Sequence, residues 1–273
     1  MPTLYVSDLD GTLLRGDQRT SAYTNRVINA LVEKGLCFSY ATARSASTAR
    51  KVTAGLTAAF PVIVYNGAFI RDNRSGEILL QNFFAPEEAL PLAQKLLHAG
   101  IRPIVYGFVD GVEKFSYLAD EINPGTREFV ESRRGDPRDR PVKTVAELLR
   151  GELFYFACID APEALEPFYR EYRDVFHCVY QKDIYSGEQW LELMPRAASK
   201  ANAIRQLAAR LGCERVVVFG DGVNDLDMFA LADEAYAVAN AVPELKKAAT
   251  AVIGGNDEDG VARWLEKNAG LEE

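Results

Sequence analysis

The chain has 273 residues, a length that allows about two domains with hydrophobic cores of their own. Its formal net charge of -8 argues against a nucleic-acid partner, because nucleic-acid-binding proteins usually carry a basic face that neutralises phosphates. No apolar run approaches the roughly 20 residues of a membrane span, and the N-terminus lacks a basic segment followed by an apolar one. We therefore expect a cytoplasmic protein with neither a membrane nor a nucleic-acid partner.

The cysteine and histidine residues predict neither a zinc site nor a disulfide framework. The cysteines lie far apart, without the close pairs of zinc sites, and they are few for so long a chain; they are Cys37, Cys158, Cys178 and Cys213. His98 and His177 stand alone, without Cys or acidic neighbours in a ligand pattern. We expect the cysteines to be buried free thiols.

In chain order, the first part of the sequence alternates strands with helices. We predict strands at 4–6, 37–40 and 62–65, a helix at 27–32 with Gly after it, and a short helix at 46–54. Strands that alternate with helices in this way form a parallel sheet covered on both faces. The sequence therefore predicts an α/β fold.

A hairpin and a late return of the same alternation complete this pattern. Two extended pieces, 68–71 and 77–80, flank a turn that contains Asn, Ser and Gly, so they are predicted to pair as a hairpin. The alternation resumes with a strand at 190–193, a helix at 201–211 and a strand at 216–219.

The middle of the chain has a different order of elements. Between residues 84 and 187 the predicted elements are a helix at 86–99, strands at 102–106, 114–118 and 153–159, a helix at 162–172 and a strand at 175–181. Mixed charges and two prolines over 133–141 indicate a solvated loop. We therefore predict a core domain formed by 1–83 and 188–273, and an inserted α+β domain at 84–187.

Two acids stand two residues apart directly after the first strand. Residues 8–14 read Asp-Leu-Asp-Gly-Thr-Leu-Leu. Side chains at i and i+2 of an extended segment point the same way, so Asp8 and Asp10 can face one small volume, and Gly11 lets the backbone turn away sharply. One acid could attack while the other handles protons. Ordinary turn residues after a strand are the alternative interpretation.

A second acidic cluster follows the strand at 216–219. Asp221 and Asp225 stand four residues apart, just before a predicted helix. Ligands of doubly wound sheets bind outside the carboxyl ends of the strands, so both acidic clusters would share one site. Hard oxygen ligands without a nearby His or Cys favour Mg²⁺. A solvated helix start with capping acids is the alternative interpretation.

Two further residues have the chemistry of phosphate ligands. Thr42 ends the second strand and offers a hydroxyl beside the backbone amides of a helix start. Lys200, at the start of the helix after Pro195, offers a compact cation for phosphoryl oxygens. Either residue alone is weak evidence, since such positions are more often structural or solvated. Their order along the chain, between the two acidic clusters, is the stronger signal.

These four elements in this order resemble the haloacid dehalogenase-like (HAD) superfamily of phosphotransferases, and the inserted middle is similar to the α+β cap (C2B-type) of its Cof-type branch. The resemblance covers nearly the whole chain. It implies a Rossmann-like doubly wound parallel-sheet core with an inserted α+β cap domain. Ala43 and Ala201 stand where the family usually has glycine, and both remain small residues.

The resemblance implies a role for each site residue. Asp8 would be the nucleophile and a Mg²⁺ ligand, and Asp10 the general acid and base whose backbone carbonyl also binds the metal. The phosphoryl group would be held by Thr42, Ala43, Lys200 and Asn224. Asp221 would bind Mg²⁺ directly, and Asp225 would support Lys200 or the metal. Asn66, Asn240 and Asp259 also match family positions, with less defined chemistry or a structural role.

We therefore predict a Mg²⁺-dependent phosphatase that hydrolyses small phosphorylated metabolites through an aspartyl-phosphate. Lys182, Asp183 and Tyr185 are the candidates for choosing the leaving group, although a solvated turn explains them equally well. A sugar phosphomutase is the closest alternative, and Arg102, Arg127 or Lys182 would then grip a second phosphate. A phospholigand sensor without turnover is a further alternative, but binding alone does not require a nucleophile and a proton shuttle.

Overall fold

The structure, a computed structural model, describes residues 2–182 and 187–269. Contacts between residues divide the chain into two compact units. Met1–Gln81 and Ala198–Glu273 form the first, called the core unit below, and Asn82–Ala197 form the second, called the inserted unit. Asp183 and Tyr185, two of the candidate specificity residues, lie outside the described residues.

The core unit contains an eight-stranded sheet in the order β14-β13-β12-β1-β2-β3-β4-β5. Its strands, numbered along the whole chain, are β1 (Thr3–Asp8), β2 (Cys37–Ala41), β3 (Pro61–Val64), β4 (Phe69–Asp72), β5 (Ile78–Gln81), β12 (Arg215–Gly220), β13 (Glu234–Val238) and β14 (Ala251–Ile253). Pairing is parallel from β14 to β3, and β4 and β5 add the antiparallel edge that the predicted hairpin requires.

The core helices are α1 (Ala22–Glu33), α2 (Ala46–Val52), α7 (Lys200–Leu211), α8 (Leu226–Leu231), α9 (Pro243–Ala248) and α10 (Gly260–Asn268). Residues at the helix ends determine where these helices begin and stop. The Ser199 hydroxyl accepts a hydrogen bond from the Asn202 amide at 3.1 Å and caps α7, which ends at Gly212 in the left-handed conformation. The predicted α/β fold with a parallel-sheet core is confirmed.

The inserted unit contains a six-stranded sheet in the order β10-β11-β9-β6-β7-β8. Its strands are β6 (Ile104–Val109), β7 (Val112–Leu118), β8 (Asp139–Val142), β9 (Glu152–Ile159), β10 (His177–Lys182) and β11 (Gln189–Met194), and its helices are α3 (Pro86–His98), α4 (Pro124–Glu131), α5 (Val145–Leu148) and α6 (Pro162–Tyr172). Only the β7–β8 pair is parallel among the described strands of this sheet.

One apolar cluster forms the centre of the inserted unit. Side chains of α3 and α6, including Leu92 and Leu165, pack with Phe156 and Leu191 of the sheet. The Phe84 ring meets the Phe156 ring edge-on, with centroids 5.3 Å apart. Burial of this apolar surface stabilises the unit independently of the core sheet.

The strand predicted at 190–193 belongs to the inserted sheet, so its assignment to the core is wrong. It is β11, which pairs antiparallel with β9, with Leu193 opposite Phe156. Apart from Glu192, residues 190–193 are apolar, a composition that suits a strand of either sheet. The strand that pairs with β11 decides which sheet it joins, and that strand, β9, is distant in sequence.

The charged stretch 133–141 is a loop only in its first part. Residues from Asp139 onward form the start of β8, and the Arg138 guanidinium before them makes ion pairs with Glu113 at 3.1 Å and Asp136 at 2.7 Å. Paired charges rather than an apolar pattern therefore mark this edge strand, which is why periodicity did not predict it.

All four cysteines are free thiols, as predicted, although only Cys158 is buried and the others are half-buried. Within 2–182 and 187–269, no helix combines the length and the apolar character needed to cross a bilayer.

We expect Phe156→Ala to lower the free energy of unfolding of the inserted unit by about 3–5 kcal/mol, because a fully buried ring is replaced by a cavity. Urea denaturation followed by fluorescence measures the change. Leu90→Ala, at a site that is 48% exposed, is the control and should cost less than about 1 kcal/mol. Equal losses for both variants would contradict the assigned core.

Candidate active site

The candidate site lies at the carboxyl ends of β1, β2 and β12. Parallel register places Asp8 opposite Ala41 and Ser7 opposite Phe219, so these three strands end side by side. Asp8 is the last residue of β1 and is only 5% exposed. The loops that follow these strands carry the predicted residues, which is how a sheet brings distant segments to one place.

A tight turn over Leu9–Leu13 follows Asp8 directly and contains Asp10, the second acid of the first motif. Gly11 has a φ of 78°, in the left-handed region, and the Leu14 amide closes the turn on the Leu9 carbonyl at 2.9 Å. A Cβ on Gly11 would lie 2.3 Å from Asp221 Oδ2, so only glycine fits both the turn and its neighbour. The turn therefore brings the first motif against the second.

Lys200 joins the two acidic clusters. Its ammonium donates to Asp8 Oδ1 at 2.6 Å and to Asp225 Oδ1 at 2.7 Å, and the residue is only 1% exposed. Burial alone would lower the pKa of Lys200, but the carboxylates of Asp225 and Asp8 raise it above its ordinary value. The lysine is therefore held in its charged form.

Negative charge exceeds positive charge at this point. Oxygens of Asp8, Asp221 and Asp225 lie within 4.8 Å of one another, with Lys200 as the cation in contact with two of them. Burial raises the pKa of Asp8 well above its usual range, and the nearby Asp225 and Asp221 raise it further against the opposing effect of Lys200. Burial and Asp225 raise the pKa of Asp221 to about 6.

The donor set fits a divalent cation. Carboxylate oxygens are the hard ligands that Mg²⁺ takes in proteins, and a second positive charge would offset the excess negative charge. Thr12 Oγ1 donates to Asp221 Oδ1 at 2.9 Å and orients that carboxylate. We infer that Asp8 and Asp221 would hold Mg²⁺ by their side chains.

Asp225 has a different environment from the other two acids. Its Oδ1 accepts from Lys200, and its Oδ2 accepts from the amides of Asp221 at 3.0 Å and Gly222 at 3.1 Å. A Cβ on Gly220 would lie 2.7 Å from the same Oδ2. Both oxygens are thus used to shape the loop and to hold Lys200, which favours the supporting role over direct metal binding.

The predicted phosphate ligands lie on the neighbouring loops. Thr42 follows β2 and is buried, and its hydroxyl accepts from the Arg44 amide at 3.1 Å. Ala43 is half-buried beside it. Asn224 lies in the turn Val223–Asp225 and is half-buried. The structure thus brings Asp8, Thr42, Lys200, Asp221 and Asp225 to adjacent strand ends of one sheet.

Asp10 does not join the acidic cluster. The two acids are predicted to face one volume, but the Asp10 carboxylate instead accepts two hydrogen bonds from the Arg44 guanidinium, at 2.6 and 2.7 Å. The reason is that β1 ends at Asp8 and Leu9–Leu13 form a turn, so the rule for side chains at i and i+2 of a strand does not extend to Asp10. Arg44 was not predicted from the sequence, where its only signal is its position two residues after Thr42.

The turn that contains Asn66 and the predicted structural residue Asn240 brace the site. A Cβ on Gly67 would lie 2.3 Å from the Ser199 carbonyl oxygen, so the turn Tyr65–Gly67 packs directly on the start of α7 and fixes the position of Lys200. Asn240 donates to the Gly11 carbonyl at 2.7 Å. These contacts hold the loops at the strand ends in place.

Asp259 forms a further brace near the C-terminal end of the core unit. It accepts hydrogen bonds from Thr24 at 3.2 Å and from Arg15 at 3.1 Å. It is buried, so these two partners compensate the cost of burying its carboxylate. Its contacts are with structural elements around the first motif, which agrees with a structural role.

Comparisons with known proteins find relatives that are named as phosphatases. The chain is 26% identical to 5-amino-6-(5-phospho-D-ribitylamino)uracil phosphatase YwtE of Bacillus subtilis, over 95% of this chain and 96% of the relative. It is 27% identical to the HMP-PP phosphatase of Serratia proteamaculans, over 97% of this chain and 95% of the relative.

Solved structures share the same fold. The crystal structure of TM0651 from Thermotoga maritima has a TM-score of 0.78 and 26% identity, covering 100% of this chain and 99% of the other. The HAD subclass IIB sugar phosphatase BT4131 has a TM-score of 0.73 and 20% identity, covering 97% and 98%, so that likeness concerns the fold. The sequence family described as haloacid dehalogenase-like hydrolase matches residues 5–265. The chain therefore belongs to the haloacid dehalogenase-like hydrolase family, as its motifs predict, and is a phosphoric monoester hydrolase.

Proposed function

We propose that this protein is a Mg²⁺-dependent phosphatase that acts on small phosphate monoesters, such as a sugar phosphate, a nucleotide or a cofactor phosphate, with Asp8 as its nucleophile. The observation that carries the proposal is the buried Asp8 carboxylate, held by Lys200 at 2.6 Å within a cluster of acids. A nucleophile needs an orienting partner, and Lys200 supplies one.

The first step transfers the phosphoryl group to the protein. An Asp8 carboxylate oxygen forms a bond to phosphorus, the bond from phosphorus to the leaving oxygen breaks, and a proton passes from the Asp10 carboxyl group to that oxygen. Lys200 and the Thr42 hydroxyl, with the Ala43 amide and Asn224, bind the phosphoryl oxygens. Mg²⁺ held by Asp8, Asp221 and the Asp10 backbone carbonyl would supply further positive charge at these oxygens.

The second step regenerates the protein. Asp10, now a carboxylate, takes a proton from water as the water oxygen bonds to phosphorus, and the bond from phosphorus to Asp8 breaks. Inorganic phosphate leaves, and Asp8 returns to its carboxylate form. Asp10 thus gains back the proton it gave, so the cycle closes.

The net charge of the protein and the names of its relatives both support small anionic substrates. With a net charge of -8, the chain offers an anionic ligand only local positive charge, which Lys200 would supply together with a Mg²⁺ that offsets the clustered acids. Two relatives are named as phosphatases of small phosphorylated compounds, which supports the same substrate class. The phosphomutase alternative loses one support, because the Arg102 guanidinium is already paired with Glu121 at 2.6 Å.

We expect Asp8→Asn to lower the rate of phosphate release by at least about 10³-fold, because the amide cannot attack phosphorus. Assays would use p-nitrophenyl phosphate and a panel of metabolite phosphates with saturating Mg²⁺. Asp174→Asn makes the same chemical change at a side chain that is 88% exposed, and it should retain full activity.

Three results would count against the proposal. A wild-type protein that leaves every ester intact under saturating metal is not a phosphatase of small esters. An Asp8→Asn variant with wild-type turnover would exclude Asp8 as the nucleophile. Isomerisation of a sugar phosphate primed by a bisphosphate, without release of free phosphate, would support the phosphomutase instead.

We expect Mg²⁺ to raise the thermal stability of the wild-type protein, by about 2.7 kcal/mol at a concentration near 100 times its dissociation constant. Chelator should remove both this stabilisation and the activity. Asp221→Asn keeps the acceptor for Thr12 but removes one of the three clustered carboxylates. This variant should lose most of the Mg²⁺ effect and be at least as stable as the wild type without metal, since like charges repel.

Melting temperatures measured with Mg²⁺ and with chelator test this expectation, with Asp174→Asn as the matched control. The outcome that contradicts the assigned metal site is an Asp221→Asn variant with a full Mg²⁺ shift.

A further inference from the structure

Arg44 makes a bidentate ion pair with Asp10. Its Nε donates to Asp10 Oδ2 at 2.7 Å, and its Nη2 donates to Asp10 Oδ1 at 2.6 Å. The planar guanidinium thus engages both carboxylate oxygens at once. Such a bidentate pair fixes the orientation of the carboxylate as well as its position.

The backbone of Arg44 is itself fixed. Its amide donates to the Thr42 hydroxyl at 3.1 Å, and its carbonyl accepts from the Tyr65 amide at 3.0 Å. Its Nη2 also donates to Gln18 Oε1 at 3.3 Å. The guanidinium is therefore anchored to the end of β2 and to the loop after the first motif, so it can hold Asp10 without a large loss of its own freedom.

A gain in stability alone does not require this pair. The side chains of Arg44 and Asp10 are 21% and 34% exposed, and exposed ion pairs contribute about 0–1 kcal/mol, with bidentate Arg–carboxylate pairs at the upper end. Partial exposure does, however, leave the Asp10 carboxylate within reach of a substrate. The geometry is better suited to control of where Asp10 points.

We propose that Arg44 is a positioning residue that holds the Asp10 carboxyl group in the one orientation from which it exchanges a proton with the leaving oxygen and then with water. This inference rests on the proposed function, since it gives Arg44 a role only through Asp10. Arg44 does not touch the reacting phosphorus in this scheme. It restricts the rotation of Asp10, and a freely rotating acid spends less time in the reactive geometry.

The test compares Arg44→Met, Asp10→Asn and the double variant. Arg44→Met should lower kcat by about 10- to 100-fold and leave KM within about threefold, because the acid is present but poorly oriented. Arg44→Lys keeps the positive charge but cannot donate to both carboxylate oxygens in the bidentate geometry. Its kcat should therefore lie between those of Arg44→Met and the wild type. In the Asp10→Asn background, Arg44→Met should cost no further activity, since the residue acts through Asp10 alone.

A second readout follows the chemistry of the two steps. With p-nitrophenyl phosphate, whose leaving group departs without a proton, the first step needs Asp10 less than the second does. Arg44→Met should therefore show a burst of about one p-nitrophenolate per protein before the slow steady state, whereas a merely destabilised protein would lose burst and steady state together.

Arg205→Met, at an exposed arginine of α7, is the matched control and should keep wild-type kcat. The Mg²⁺ shift in melting temperature should persist in Arg44→Met, which shows that the metal site is intact. If that variant does not fold, Arg44→Lys replaces it in the same comparison.

Each contrary result has a distinct meaning. A raised KM with unchanged kcat, or additive losses in the double variant, would overturn the inference and make Arg44 a substrate ligand. Wild-type kinetics in Arg44→Met would overturn it as well. An inactive wild type, or an Asp10→Asn variant with full activity, would instead contradict the proposed function.

Discussion

The buried ammonium of Lys200, bonded to Asp8 and Asp225, is the interaction on which the rest of the site depends. A buried charge without a partner costs several kcal/mol. Burial of the Lys200 ammonium therefore requires that both carboxylates lie beside it in the folded protein. They come from three segments of the chain, and Asp8 and Lys200 alone are 192 positions apart. The parallel register of β1 with its neighbours, together with the packing of α7, meets that requirement.

Close packing keeps this charged centre in place. Gly11 and Gly67 sit where any side chain would collide with Asp221 or with the backbone of Ser199. The Ser199 side chain, which caps the start of α7, and the hydrogen bond from Asn240 to the Gly11 carbonyl also hold these segments in place. A cluster with excess negative charge repels itself, and a rigid frame stops the acids from moving apart.

The two acids of the first motif have been given different environments. Asp8 is buried beside a lysine and two carboxylates, whereas Asp10 is partly exposed and held by an arginine. Environments that differ in this way are what allow neighbouring carboxyl groups to perform different chemistry. The turn at Leu9–Leu13 is the cause, because it rotates the second acid out of the cluster that contains the first.

The sequence by itself determined the alternation of strands and helices. It also predicted the inserted unit and the site residues Asp8, Asp221, Lys200 and Thr42, because these predictions depend on local periodicity and on residue type at the ends of strands and the starts of helices. It did not determine which sheet β11 joins, since Trp190 to Leu193 suits either one until β9 provides a partner. Nor did it reveal Arg44 as the partner of Asp10. That contact joins residues 34 positions apart, and it depends on the turn that follows Asp8 and on parallel strands that end side by side.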